Sequence, residues 1–358
     1  MTPADGERLL IVGNPEPIHV GAHLLRAAHD LGLPAMLCDS RQAYDGLWPV
    51  RKWNWWLRGR RPSRLRAFSR QVVQAAEAFG PTAVLTTGQA PLDAAALEAL
   101  GKRGVRRLNY LTDDPWNPNH HAPWFLDALP RYDHVFSPRR SNLGDLARAG
   151  CPRVAYLPFA YAPHLHFPEP GPAPQPDPFA CDVMFAGGAD RDRVPYLAAL
   201  VRAGFDVALY GGYWERYAAT CAHARGHLDG PALRRATRGA RVVLCLVRRA
   251  NRDGHVMRTF EAPTMGACLL AEHTAEHEEI LGPDGEAVVY FRTIPEMVDR
   301  LRWLLAHDAE RSRLAERGRR RIVEGANTYQ DRLRVLLALS HKDVRKAAIS
   351  DPVAAEAS

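Results

Sequence analysis

Short apolar runs alternate with helix-like stretches of about 10–15 residues along most of this chain, and a segment with seven prolines in residues 163–178 interrupts the pattern once. Such alternation argues for βαβ units and parallel sheets. Before the interruption it predicts strands at Leu9–Gly13, Ala35–Cys38, Ala83–Thr87, Arg107–Leu111, Val135–Ser137 and Val154–Leu157. Helices are expected at Val20–Leu31, Leu65–Phe79, Leu92–Arg103 and Ser141–Ala149. The pattern then restarts, with strands at Asp182–Ala186, Val207–Tyr210, Val242–Val247, Cys268–Glu272 and Val288–Tyr290. Its helices fall at Arg193–Ala203, Met257–Met265, Ile294–Ala306, Glu310–Asn327 and Tyr329–Ser340, before a polar tail expected to fray. Residues 1–162 therefore read as one Rossmann-like α/β domain and 181–328 as a second. Residues 163–180 form a semi-extended linker, and 329–358 a terminal helix and tail. A ligand belongs in a cleft at the carboxyl ends of the strands.

Composition excludes other classes. A length of 358 residues suits two domains, and 46% hydrophobic residues is too many for a disordered chain. The longest apolar runs, such as Val242–Val247, are far shorter than the roughly 20 residues of a membrane span. Acidic residues precede the first apolar run, which is too short for a signal-peptide core. A soluble, cytoplasmic protein is the expectation. None of the six cysteines (Cys38, Cys151, Cys181, Cys221, Cys245, Cys268) stands in a C-x-x-C pair, so reduced, buried thiols are expected. The net charge of +7 fits a phosphate-bearing ligand, a nucleic acid or an anionic membrane equally well.

The segment Asn251–Glu272, NRDGHVMRTFEAPTMGACLLAE, is the most informative. It reads as a loop, a helix presenting Arg258 and Glu261 on one face, and an apolar strand. Unpaired amides at a helix start, with an arginine in the first turn, suit a diphosphate, and a carboxylate one turn later suits a ribose diol. A plain Arg–Glu ion pair on a helix face explains the same residues.

RTFEAPTMGACLLAE, with the following E-x-x-x-x-L-G-P-D-G-E and NTYQDR stretches, resembles the C-terminal half of the CgeB-like glycosyltransferases, relatives of the group-1 enzymes with the GT-B fold. YLTDDPWNP, SPRR-x-N, LPFAYAPHLHFP and CDVMFAGG are similar to that family in the same order, over roughly Asn109 to Arg332. The resemblance implies a GT-B protein with two Rossmann-like domains facing a central cleft. It implies transfer of a sugar from a nucleotide-sugar donor to an acceptor hydroxyl, with no obligatory metal or other cofactor and with retained configuration. Glu261 would bind the ribose hydroxyls, and Asp253 would occupy the acidic position eight residues earlier, where the family usually has glutamate. The loop Gly254–His255–Val256 would bring amides to the sugar or β-phosphate, and Arg258 would face the diphosphate. The turn Gly187–Gly188, with Arg191 and Arg193 behind it, would meet the pyrophosphate, since a metal-free enzyme must neutralise a departing nucleoside diphosphate with arginines and amides. Tyr210–Gly211–Gly212 would border the nucleobase, and Val247–Arg248 ends the neighbouring strand.

In the first half, Asp113–Asp114 read either as cleft residues facing a sugar, with Asp114 in the catalytic group, or as a turn cap before Pro115. His19 and Asn14 fall in the first β–α loop, where acceptor contacts are expected; His19 is a candidate base or a solvated histidine. His120–His121, His164 and His166 lack a supporting ligand cluster, and no metal site is expected. Trp48–Arg70, with Trp53, Trp55 and Trp56 ahead of six arginines, suits a peripheral membrane contact or single-stranded nucleic acid, or is a packed aromatic loop before a solvated helix. Nucleic acid is not the expected partner of a sugar transferase. Two rival functions remain: a sugar-nucleotide or glycan-binding protein without turnover, which Asp253 favours, and a nucleic-acid-binding protein. A dinucleotide oxidoreductase is disfavoured, because Gly13 lacks the G-x-G-x-x-G context.

Overall fold

A computed structural model describes residues 6–338. The chain forms two compact units, the first running to Leu157 and resuming at Tyr329, the second spanning Pro158–Thr328.

The first unit contains β1 (Leu9–Gly13), α1 (Val20–Asp30), β2 (Ala35–Asp39), α2 (Trp48–Leu57), α3 (Leu65–Phe79) and β3 (Ala83–Thr87). It continues through α4 (Ala94–Lys102), β4 (Arg106–Tyr110), α5 (Pro123–Leu126), β5 (His134–Ser137), α6 (Leu143–Arg148) and β6 (Val154–Tyr156). Its six strands are all parallel in the order β2-β1-β3-β4-β5-β6. Leu9, Leu10, Ile11 and Val12 are wholly buried, as a strand covered on both faces by helices requires. In α3, Leu65, Phe68, Val72 and Ala76 form the buried stripe, and Gly80 ends the helix in the left-handed region at φ 65°.

The second unit holds β7 (Cys181–Ala186), α7 (Val194–Arg202), β8 (Val207–Tyr210), α8 (Gly230–Gly239), β9 (Ala240–Cys245) and α9 (Arg258–Thr264). Then follow β10 (Leu269–Glu272), α10 (Ala275–Leu281), β11 (Val289–Phe291), α11 (Ile294–Ala306) and α12 (Asp308–Glu324). Its five strands are parallel in the order β11-β10-β9-β7-β8, so the winding reverses between β7 and β9. That reversal opens a crevice at the strands' carboxyl ends. Asp229, Thr274 and Thr293 cap α8, α10 and α11 by accepting a hydrogen bond from a backbone N–H. The last helix, α13 (Tyr329–Ala338), packs on the first unit: Tyr329 stacks on His23 at 4.7 Å, and the Gln330 amide donates to Asp30. Residues 339 and 340 of the expected terminal helix, and the expected tail, lie outside the described residues.

Two expectations need correction. The connector expected over 163–180 is in part a packed segment. Within it His166 is buried, and Arg234 of α8 binds Glu169 at 2.9 Å, donates to Leu165 O and covers the Phe167 ring. Aromatic anchors between the prolines give this stretch something to bury, which a proline count alone conceals. Trp48–Leu57, for which a packed aromatic loop was one of the readings, is a helix with Pro49 in its first turn, and only Asn54 of it is buried. Four tryptophans in nine residues erase the apolar–polar contrast on which helical periodicity depends.

All six cysteines are free, and four are buried; Cys221 is exposed, contrary to expectation. Among the described residues no helix is long and apolar enough to cross a membrane.

Two buried histidines make the fold acid-sensitive. Burial pushes the His134 and His277 imidazoles down to about 4 from an ordinary 6.5. The unfolded chain therefore takes up protons that the folded chain refuses as pH falls below 6.5, and stability present above that value is lost on acidification. Each should contribute roughly 2 kcal/mol of lost stability between pH 7 and pH 5. Urea unfolding across that range should show the loss, and His134→Phe, placed beside the stacked Phe136 ring, should remove about half of it. An unchanged pH slope in that variant would contradict the assignment.

Candidate functional site

The site is built on the loops that leave β7, β8, β9 and β10. The first two are locked together through their backbones: Gly187 N donates to Tyr210 O at 2.8 Å and Ala189 N to Gly212 O at 2.9 Å. Gly211 has φ 120°, and a Cβ there would stand 2.5 Å from Gly187 O, so only glycine fits. The buried Trp214 indole donates to Gly187 O at 2.8 Å and fixes the turn from behind. Gly187–Gly188 is thus a pinned turn.

Arg193 comes after this turn, immediately before α7. Asp190 Oδ1 accepts from the amides of Asp192 and Arg193, which starts α7. The Arg193 side chain is buried and spans the crevice: Nη1 donates to Gly188 O at 3.3 Å and Nη2 to Leu246 O at 3.5 Å. One hydrogen bond falls on the loop after β7, the other on the loop after β9. Its Nε is buried without a hydrogen-bond partner among the described residues. Burial, then the neighbouring Arg248, hold the guanidinium below its ordinary pKa, while Asp190 and Asp253 act in the opposite sense. Arg248 Nε lies 3.9 Å from Asp190 Oδ2. Two arginines and two aspartates therefore meet where the winding reverses. Arg191, expected to share this role, is exposed on the surface.

The loop before α9 is held by α10. A side chain at Gly254 would run into the Glu276 carboxyl, and Thr274 Oγ1 donates to Gly254 O. His255 is wholly buried; its Nδ1 lies 2.6 Å from Glu276 Oε2, and its Nε2 accepts from Phe159 N at 3.2 Å. Both ring nitrogens are committed, so His255 frames the loop with its side chain. Of the expected amide cradle, Val256 N is spent internally, as are amides of the first turn that follows. Val256 N donates to Thr259 Oγ1, and the amides of Thr259, Phe260 and Glu261 donate to the carbonyls of Val256 and Met257. Guanidinium groups also bring positive charge here. Arg258 supplies one: Nη1 lies 2.8 Å from Glu261 Oε2, and its Nε is buried without a hydrogen-bond partner among the described residues. The Cys245 thiol at the end of β9, pushed up to about 11 by burial, feels both Arg258 and Arg193.

Glu261 is buried between Arg258 and His166, whose Nε2 is 3.7 Å from Glu261 Oε1. His166 Nδ1 accepts from Ala162 N at 3.0 Å, which leaves Nε2 as the protonated nitrogen facing the carboxylate. Burial lowers the His166 pKa, and Glu261 opposes that. Nothing in the sequence around His166 marks this role, because it sits in the proline-rich stretch far from residue 261. A second support also lacks a motif. Glu272 accepts from Val247 N at 3.3 Å and binds Arg249 at 2.8 Å, and Arg249 donates to the Tyr196 hydroxyl at 2.6 Å, which holds the loop after β9.

Arg193, Arg248, Asp253, Arg258 and Glu261 therefore gather around the carboxyl ends of β7 and β9. Tyr210 does not join them: its ring is buried in the core layer with Met184, Val243 and Phe260, so it offers no face to a nucleobase. In the first unit, Asp114 is almost fully buried and caps a turn, with Oδ1 accepting from Trp116 N at 2.9 Å. This is the turn cap expected as one of its two readings. Asn14 closes a similar turn by accepting from Glu16 N. His19 is half-exposed, with Nε2 3.4 Å from Glu16 Oε2. Among the described residues no group of three or more His, Cys, Asp or Glu is placed to hold a metal ion.

Residues 193–338 match the family described as glycosyl transferase-like. The match covers 146 of the 358 residues, under half of the chain. It begins at Arg193 and includes Asp253, Arg258 and Glu261. No curated protein matches the chain in sequence. Among solved structures, sucrose-phosphate synthase from Thermosynechococcus elongatus is 12% identical with a TM-score of 0.65, over 96% of this chain and 100% of that one. Anabaena HepE in complex with UDP and glucose is 12% identical with a TM-score of 0.63, over 94% and 100%. A putative UDP-N-acetylglucosamine 2-epimerase from Listeria monocytogenes is 14% identical with a TM-score of 0.56, over 94% and 96%. At these identities the likeness is one of fold, and the fold is GT-B, with two parallel-sheet α/β domains.

Arg193 and Arg191 separate the site from the surface. Arg193→Gln should weaken a nucleoside diphosphate roughly 10–100-fold, the range for a lost hydrogen bond to a charged group, and leave the free nucleoside nearly unchanged. Arg191→Gln should alter neither by more than about twofold. Titration calorimetry giving equal losses for both ligands in a folded Arg193→Gln variant would make Arg193 a fold residue only.

Proposed function

We propose that the chain transfers a glycosyl group from a nucleotide-activated sugar to an acceptor hydroxyl, and that the second unit holds the donor. The observation that carries this reading is the placement of Arg193, Arg258 and Glu261 around the reversal between β7 and β9: two incompletely bonded guanidiniums beside a buried carboxylate. The guanidiniums meet the diphosphate, and Glu261, held by Arg258 and His166, accepts from the ribose hydroxyls. Asp253 contacts the donor sugar. On the acceptor side, His19 is the contact of this reading.

In the transfer step the bond between the sugar C1 and the diphosphate oxygen breaks, with its electron pair going to the phosphate. The acceptor oxygen bonds C1, and its proton leaves with the diphosphate or to solvent. Charge develops on the departing phosphate, where preorganised cations lower the barrier most. Arg193 is suited to this, since a desolvated cation interacts more strongly with new negative charge than one in water. The reaction is metal-independent and retains configuration in this reading; the committed amides of the α9 loop leave the work to the arginines. HepE has been seen with UDP and glucose, which makes UDP-glucose the first donor to test.

Glu261→Gln should lower nucleoside diphosphate affinity by roughly 1–3 kcal/mol, because a neutral amide loses the charge-assisted bonds. Unchanged affinity in the folded variant removes Glu261 from the site. Donor turnover should survive excess EDTA with less than about a tenfold loss, or about 1.4 kcal/mol in barrier. Abolition by EDTA with rescue by manganese or magnesium overturns metal independence. Nuclear magnetic resonance of the products decides the reaction class: a glycoside or free sugar supports transfer, and an epimerised nucleotide sugar refutes it.

A further inference from the structure

The first unit carries a helix that faces water with its apolar side. In α2 only Asn54 is buried, while Trp48, Trp53, Trp55, Trp56, Val50 and Leu57 are exposed, Trp56 by 76% and Leu57 by 65%. Leu47, just before it, is 77% exposed. The helix is nonetheless fixed in place. Arg60, at φ 57°, donates from Nη1 to His121 O and from Nη2 to Pro118 O, both at 2.8 Å, and Gly59 sits against Pro123. Asn54 reaches Ser63 Oγ at 3.4 Å. A cavity of about 410 Å³ opens along the helix, walled by Trp48, Trp55 and Trp56 and edged by Arg51, Lys52 and Arg61.

Charge is as one-sided as exposure. From Gly46 to Ala76 there are eight Lys and Arg and no acidic residue, while the remaining chain carries 39 cations against 40 anions. The whole net charge of the protein is therefore concentrated on this one segment. Indoles with aliphatic side chains between them, ringed by cations, match the boundary layer of a membrane, where tryptophan sits at the headgroup level and leucine reaches the acyl chains.

We propose that α2 is the contact by which this chain binds, without spanning, the surface of a membrane rich in anionic phospholipid. Trp53, Trp56 and Leu57 enter the interface, and Arg51, Lys52 and Arg61 take the headgroup phosphates. The aliphatic residues favour a bilayer over nucleic acid: bases stack on indoles, but Leu47, Val50 and Leu57 have no partner in a polynucleotide. The inference stands on the first unit alone and does not depend on the activity of the second.

The test is cosedimentation of the full chain with vesicles of phosphatidylcholine, and of equimolar phosphatidylcholine and phosphatidylglycerol, followed also by tryptophan emission. Four of the eight tryptophans lie in α2, so docking should shift emission to the blue. Binding is expected to the anionic vesicles, to weaken at high salt, and to fall about 30-fold in the Arg51→Gln, Lys52→Gln variant, about fivefold per cation removed. Trp53→Ser with Trp56→Ser, both exposed and outside the donor site, should abolish vesicle binding and leave nucleotide affinity unchanged. Equal binding to both vesicle types, or vesicle binding that survives the double serine variant, overturns the proposal. So does tight binding of a single-stranded oligonucleotide without vesicle binding. Self-association in buffer that the serine variant removes, again without vesicle binding, means that a second copy of the chain covers the helix.

Discussion

The second unit depends on a buried guanidinium. Arg193 lies where the sheet's winding reverses, tied to one carbonyl on each side, with a cation and two aspartates around it. Burying a charge is costly unless partners restore what water supplied. Two carbonyls and a carboxylate at 3.7 Å do so only in part. The surrounding structure serves to hold it there: Trp214 pins the turn it bonds to, and the Glu272–Arg249–Tyr196 chain fixes the strand end opposite. In the proposed function an anionic ligand completes the arrangement, because it offsets a desolvation that the folded chain already carries.

Such a site needs glycine where backbones touch and charge where they do not. Gly211 and Gly254 let two pairs of loops close to contact distance; Arg193 follows the Gly187–Gly188 turn that Gly211 meets, and Arg258 follows Gly254. Val256, Thr259, Phe260 and Glu261 bond their amides within the loop and helix, so a helix start that looks open in sequence is partly closed in three dimensions. Neutralisation shifts from backbone to side chain. That shift explains why the arginines, rather than the peptide groups, carry the proposed chemistry.

Most of the sheet framework was legible because parallel strands buried on both faces read as plain apolar runs, and Leu65–Phe79, Ala83–Thr87, Val207–Tyr210 and Ile294–Ala306 form where their patterns place them. Helix α8 was not: Gly-Pro at its start and Gly239 at its end look like turns, while the Asp229 cap and the packing of Arg234 on Glu169 and Phe167 hold the helix in place. The Arg258–Glu261 pair was legible from spacing alone, since residues three apart share a helix face. His166, Trp214 and Glu276 were not, because each reaches the site from a distant segment and meets its partner only through folding. Asp114 was legible as a turn cap, because an acidic residue before proline accepts from a backbone amide two residues on.

The central claim is that a diphosphate completes the charge at the reversal between β7 and β9. A crystal structure of the chain with a bound nucleoside diphosphate tests it most directly. The account predicts phosphate oxygens within hydrogen-bond distance of Arg193 and Arg258, and ribose hydroxyls on Glu261. A diphosphate bound at Asp113 and Asp114 through a metal ion, with Arg193 and Arg258 untouched, would contradict it.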